Sequence, residues 1–229
     1  MNAISIVTGA SKGIGLGIRE ALLAKSETVL SIGRWSEAEL DSGSERDFRL
    51  RLDLADSDSN PTAAIEWIQK NRVQVKGLVN NAALLLNATA ETLTADDFQR
   101  MWEVNVLGAF KLTQGLLPFF TPTAHIVNIG SMGGFQGSRK YRGLSGYSAT
   151  KAALANLTEC WAEEWANRGI RVNCLALGAV QTEMLKTALP GIKAPLTSLE
   201  MGEYIACFLL EGHRYYNGQI LPVTLYNPS

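Results

Sequence analysis

Histidine is nearly absent from this 229-residue chain: His125 and His213 are the only two, and they stand far apart. A zinc site built on histidines is therefore not expected, and no metal-ligand set is read from the sequence. Cysteine is equally sparse. Cys160, Cys174 and Cys207 are scattered and odd in number, which argues against a disulfide framework and for thiols kept in a reducing cytoplasm. No apolar run approaches the ~20 residues that a membrane-spanning helix needs. Neither sign of charge dominates: 21 Lys and Arg stand against 22 Asp and Glu, for a net charge of −1. That balance gives no sign of a nucleic-acid or membrane-surface partner. The first strand is expected to begin almost at Met1, which leaves no room for a signal peptide. Internal repeats and low-complexity tracts are also missing.

What is present is ordinary for a soluble globular protein, with 46% hydrophobic and 19% charged residues. The length suits one domain, residues 1–229, with a sizeable core. Short runs rich in Val, Ile and Leu predict strands near 3–8, 28–33, 47–52, 75–80, 124–130, 170–176 and 219–223. Most such runs suit strands buried on both faces. Helices are expected near 14–25, 61–71, 95–119, 147–167 and 198–210, with Pro61 suited to a first helical turn. A bend is expected in 95–119, which carries Gly108 and Gly115. Strand–helix alternation with short connections implies an α/β fold, a doubly wound parallel sheet of about seven strands. Two connections are short, 34–46 and 177–197, and residues 34–46 have room for only a turn or two of helix.

The most informative stretch is Tyr147-Ser148-Ala149-Thr150-Lys151. On a helix, the phenol and the ammonium lie on one face, one turn apart. A free tyrosine has a pKa of about 10, and a nearby lysine cation is expected to lower it. The pair can then exchange a proton at working pH. Alone, this spacing is common and fits two surface side chains. Its weight comes from what stands upstream. The apolar run 3–7 leads into Thr8-Gly9-Ala10-Ser11-Lys12-Gly13-Ile14-Gly15, followed by a helical pattern. Strand, glycine turn and helix form the context in which backbone amides meet a pyrophosphate. Further on come Val79-Asn80-Asn81-Ala82-Ala83, then Asn105, then a strand ending at Ser131.

Taken in this order, these motifs resemble the short-chain dehydrogenase/reductase family of the classical type. The resemblance runs from Ile4 to about Val223. It implies a Rossmann-type fold and hydride transfer that interconverts a small-molecule carbonyl and alcohol. It implies Tyr147 as proton donor in reduction and base in oxidation. Lys151 would lower the Tyr147 pKa and bond the nicotinamide ribose, and Ser131 would hold the substrate oxygen. Asn105 would hold a water linking Lys151 to solvent. The cofactor would meet Gly9, Ser11, Lys12, Gly13, Ile14 and Gly15 at the turn, with Asp53 and Leu54 at the adenine end. Asn81, Ala82 and Ala83 would flank it, and Gly178, Val180 and Thr182 would meet it beyond Lys151. Leu177 replaces a common proline and Ala83 a common glycine.

An acid ending the second strand would bond the ribose hydroxyls of NAD and repel a 2′-phosphate. The chain instead reads Gly33-Arg34-Trp35, and Lys12 is expected to project toward the same pocket. Two cations and no carboxylate favour NADP(H) over NAD(H). Met132, Phe135, Tyr141, Leu144 and Met184 are candidate substrate-pocket residues. A non-catalytic NADP-binding regulatory protein is the chief alternative, and the full Asn105, Ser131, Tyr147, Lys151 set weighs against it. A nucleotide-sugar epimerase or dehydratase is disfavoured by the glycine spacing. Leu154, Leu157, Trp161 and Trp165 form a helical stripe, and two tryptophans suit an interface. A homodimer or homotetramer is expected, the tetramer using the strand near 219–223.

Overall fold

The computed structural model describes residues 3–41, 43–56 and 61–225. Its strands are β1 (Ala3–Thr8), β2 (Val29–Gly33), β3 (Asp47–Arg51), β4 (Gln74–Asn80), β5 (Phe120–Ser131), β6 (Arg171–Leu177), β7 (Val180–Gln181), β8 (Leu196–Thr197) and β9 (Ile220–Val223). Seven of them form one sheet in the order β3-β2-β1-β4-β5-β6-β9, and every pairing is parallel. The expected α/β doubly wound sheet is therefore the observed one. β7 and β8 form a separate two-residue parallel ladder within the 177–197 connection. β5 begins earlier than its apolar run, because Phe120 already pairs with Val75 ahead of an irregularity in the register.

The helices are α1 (Gly13–Ala24), α2 (Glu37–Leu40), α3 (Thr62–Asn71), α4 (Ala95–Trp102), α5 (Ala109–Leu116), α6 (Ser145–Glu164), α7 (Glu183–Ala188) and α8 (Ser198–Glu211). Two apolar cores result, one on each face of the sheet. Ile18 and Leu22 of α1 and Met201 and Ile205 of α8 cover one face. Ala64 and Ile68 of α3, Leu112 and Leu116 of α5, and Trp161 of α6 cover the other. α1 and α8 approach closely because Gly17 and Gly202 leave no side chains between them; a Cβ on Gly17 would stand 2.5 Å from the Ser198 oxygen.

The 95–119 segment is not one helix. Between α4 and α5 lies a wider π-type stretch, Glu103–Gly108, and α5 ends in a tight turn, Leu117–Phe119. Gly108 and Gly115 mark close approaches to Leu54 and Pro61. The π stretch brings Asn105 inward, where it is buried.

The tryptophan stripe requires a correction. Leu154, Trp161 and Trp165 are buried within the chain itself. Trp161 stacks on Trp165 at 5.3 Å and meets Phe110 at 6.2 Å. One face of α6 must cover the sheet, and the stripe is that face, so it gives no argument for an interface. His125 lies inside β5. Its Nδ1 donates to the Leu209 carbonyl at 2.9 Å and its Nε2 accepts from Asn173 at 3.0 Å. Burial pushes its pKa down to about 4, which keeps the ring a neutral link between strand and helix.

The short 34–46 connection, of which residue 42 lies outside the described residues, holds only the four-residue α2, closed by a Ser36–Glu39 capping box. A polar cluster packs at this edge of the sheet. Asp47, 3% exposed, accepts from Arg19 (2.6 and 3.0 Å), Arg49 (3.0 and 3.1 Å) and the Ser31 hydroxyl (3.1 Å). The Trp35 ring packs against both guanidinium groups, 5.7 Å from Arg19 and 5.0 Å from Arg49. It belongs to the same apolar core as α1.

Candidate active site

The glycine turn is shaped by its own backbone. Gly9 and Gly13 have φ of +65° and +58°, a region that disfavours side chains. A Cβ on Gly15 would strike the Gly9 carbonyl. Thr8 and Asn81 hold the turn: Thr8 Oγ1 accepts from the Asn81 and Ala82 amides, both at 3.0 Å. Asn81 Nδ2 donates to the Thr8 carbonyl at 2.8 Å. α1 starts with neither a side-chain cap nor an acid in its first turn. Its leading amides therefore face a ready anion position. A cavity of about 1000 Å³ opens from this turn across the carboxyl ends of the strands. A glycine cradle, uncapped amides and this cavity fit a dinucleotide.

Ser131, Tyr147 and Lys151 line the same cavity. Ser131 ends β5, and its Oγ accepts the Gly133 amide at 3.1 Å, which leaves its own O–H to donate. Lys151 is 1% exposed. Its ammonium donates to the Ile129 carbonyl at 2.7 Å, its single hydrogen-bond acceptor among the described residues. The same nitrogen stands 5.7 Å from the centre of the Tyr147 ring. Burial drives both groups toward neutrality: Tyr147 is pushed up to about 12 and Lys151 down to about 8. The expected lowering of the Tyr147 pKa by Lys151 is not found. Here the ammonium is turned to Ile129, and desolvation of the phenol dominates.

Asn105 is brought beside this group without lining the cavity. Its Oδ1 accepts the Leu84 amide at 2.7 Å. Its Nδ2 donates to the Leu84 carbonyl and to Thr150 Oγ1, both at 2.9 Å. The side chain is thus a clamp between the segment after β4 and α6. Gly15 also stands behind the cavity wall, and every other sequence-derived site residue faces the cavity. Asp53 does so while its carboxylate caps its own turn, accepting the Ala55 amide at 3.0 Å. Thr182 Oγ1 caps α7 by accepting the Leu185 amide at 3.1 Å. Leu177 needs no proline to be held, since it pairs with Ser131 on one side and Val223 on the other. Of the candidate substrate residues, Met132, Tyr141, Leu144 and Met184 line the cavity and Phe135 does not.

At the other end, Lys12 and Arg34 both reach the cavity. The expectation of no carboxylate there is corrected: Glu183 of α7 pairs with Lys12 at 3.2 Å across the cleft. Both side chains are more than two-thirds exposed, so the contact is a weak, screened one. Sequence reasoning missed Glu183, Thr150 and the anchoring of Trp35. Only Trp35 carried a signal, a large apolar residue two positions after the strand that ends at Gly33.

A parallel doubly wound sheet, with a glycine turn and a Ser–Tyr–Lys group facing one cleft, defines a nicotinamide-dependent oxidoreductase. A sequence profile described as short chain dehydrogenase matches residues 3–192, and the chain belongs to the short-chain dehydrogenase/reductase family. An uncharacterized short-chain type dehydrogenase/reductase of Sinorhizobium fredii is 33% identical over 80% of this chain, which spans only 33% of that longer protein. The 3-oxoacyl-[acyl-carrier-protein] reductase FabG of Thermotoga maritima is 30% identical, with 96% of this chain and 95% of the relative covered. Among solved structures, a short chain dehydrogenase from Burkholderia cenocepacia in complex with NADP aligns with a TM-score of 0.82 at 25% identity, over 96% of each chain. A 3-ketoacyl-(acyl-carrier-protein) reductase from Brucella melitensis complexed with NADH aligns at 0.85 and 25%, again over 96% of each. No helix among the described residues is long and apolar enough to cross a membrane.

Proposed function

We propose that this chain is an NADP(H)-dependent oxidoreductase that interconverts a carbonyl and an alcohol on a small molecule, within one domain spanning residues 1–229. The observation that carries the reading is the meeting of Ser131, Tyr147 and Lys151 with the glycine turn in one cavity. The nicotinamide, when bound, supplies or accepts the hydride. Ser131 donates its hydroxyl proton to the substrate oxygen and steadies charge there. Tyr147, with its pKa pushed up to about 12, is protonated at neutral pH, the state a proton donor needs. Lys151 has donors to spare for ribose hydroxyls, and Thr182 retains its hydroxyl proton for the carboxamide. The Asn105 side chain is committed to Leu84 and Thr150, so its part here is to hold the segment after β4 against α6.

NADP(H) preference is supported by Arg34 at the cavity rim and by glycine rather than an acid at position 33. Replacing Arg34 by Ala is expected to cut the NADPH-over-NADH preference by about 10–150-fold, the loss of a charge-assisted contact of ~1.5–3 kcal/mol. Titration of both cofactors against wild type and variant checks this. Equal affinities in the wild type contradict it.

Free cysteines at 160, 174 and 207 support a reducing, cytoplasmic setting. A homodimer or homotetramer is supported by β9 at the sheet edge and by the exposed Tyr204, Tyr215 and Tyr216. Light scattering is expected to exceed the 24.9 kDa of one chain, and a monomer mass contradicts the assembly.

A further inference from the structure

Position 33 is where an NAD-selecting acid would stand, yet its backbone does not demand glycine, since its φ is not positive. Packing is what restricts it. A Cβ there would meet Trp35 Nε1 at 3.3 Å and Cε2 at 3.4 Å, with Ser11 Cβ of the glycine turn at 3.6 Å. A side chain at 33 would thus point between the indole and the turn, toward the ribose end of the cleft. Relief would require the indole to shift, and it is anchored at several points. Trp35 is 4% exposed, and its Nε1 donates to the Ser31 carbonyl at 3.0 Å. Arg19 and Arg49 both lie against its ring, at 5.7 and 5.0 Å, and both are fixed by Asp47. The Trp35 carbonyl accepts from Arg51 Nε at 2.6 Å, and Arg51 also pairs with Glu37. On the other side, the Gly33 carbonyl accepts the Leu52 amide at 3.0 Å. Arg34 sits between two pinned neighbours, exposed, on the cavity wall.

We infer that Trp35 is a positioning residue for cofactor selection: its indole fills the space an acid at 33 would need, and its anchoring holds Arg34 at the ribose end of the cleft. The inference rests on the NADP(H) reading above. Selection for a phosphorylated ribose is then built by packing as well as by the charge of Arg34. It also ties the short 34–46 connection to cofactor choice, because that connection packs on the Trp35 cluster.

The test is calorimetric titration of NADPH and NADH, without substrate, into wild type, Trp35→Ala, Trp35→Phe, Gly33→Asp and the Gly33→Asp/Trp35→Ala double variant. Trp35→Ala is expected to weaken NADPH about tenfold and NADH less than about twofold, since the 2′-phosphate contact alone needs a fixed Arg34. Trp35→Phe keeps a ring against the guanidinium groups and loses the bond to Ser31. It is expected to shift the ratio the same way by less, and it supplies the reading if Trp35→Ala does not fold. Gly33→Asp alone is expected to gain no NADH affinity, whereas adding it to Trp35→Ala is expected to gain about tenfold, a non-additive pair. An unchanged NADPH/NADH ratio in both Trp35 variants, or a full NADH gain from Gly33→Asp alone, overturns the inference. A wild type without NADPH preference defeats the underlying reading and the inference together. A wild-type preference that survives in both Trp35 variants defeats the inference alone.

Discussion

Tyr147→Phe is expected to lower turnover by about 10²–10⁴-fold while NADPH affinity stays within about threefold of wild type. The phenylalanine ring keeps the packing in the cavity wall and removes only the proton. Neither neighbour takes over: Ser131 has a hydroxyl that is a far weaker acid, and Lys151 is turned to Ile129 at 2.7 Å. Single-turnover kinetics separate binding from chemistry. A variant with near-wild-type turnover contradicts the assignment of Tyr147 as acid. A variant that loses cofactor affinity as severely as turnover assigns the phenol a binding role instead.

Asp47→Ala is expected to cost about 3–5 kcal/mol of stability, because it removes the buried carboxylate that two little-exposed guanidinium groups share. In a chain of this length that is a drop of roughly 10 °C in Tm. Arg19 and Arg49 side chains are only 12% and 10% exposed. Burial alone would raise the Asp47 pKa, but Arg19, Arg49 and Ser31 outweigh it and hold the pKa below the usual carboxylate range. The sign follows. A depressed native pKa gives stability that is present above the unfolded carboxylate pKa of about 3.9 and lost as pH falls through the folded value. Thermal unfolding of wild type, Asp47→Ala and Asp47→Asn from pH 7 to pH 3 reads both effects. A loss under about 1 kcal/mol for Asp47→Ala reduces the cluster to a solvated ion pair.

Much of the fold was legible because strands buried on both faces leave nearly unbroken Val, Ile and Leu runs. β1, β2 and β6 show this directly. The start of β5 was hidden by Thr121-Pro122-Thr123, which has the composition of a turn. The π stretch at Glu103–Gly108 was hidden too: Gly108 signals a close approach, but no residue type specifies a wider helical turn. The site was legible where one chemistry needs one residue type, as at Tyr147, Lys151 and the three turn glycines. It was not legible where function depends on who touches whom. The tryptophan stripe of α6 reads the same whether it faces a sheet or a second copy. Lys12 meets Glu183 across 171 positions of sequence, and spacing cannot show that. The Tyr147 pKa moved opposite to the expectation because a neighbour in sequence was weighed above burial, and the fold decides burial.

The most direct test is NADPH oxidation by the wild-type protein across a panel of aldehydes and ketones, with Tyr147→Phe run beside it. Carbonyl-dependent loss of NADPH absorbance with at least one member, slowed about 10²–10⁴-fold in the variant, is the expected result. Tight NADPH binding with no turnover on any member contradicts it and leaves a binding protein in place of an enzyme.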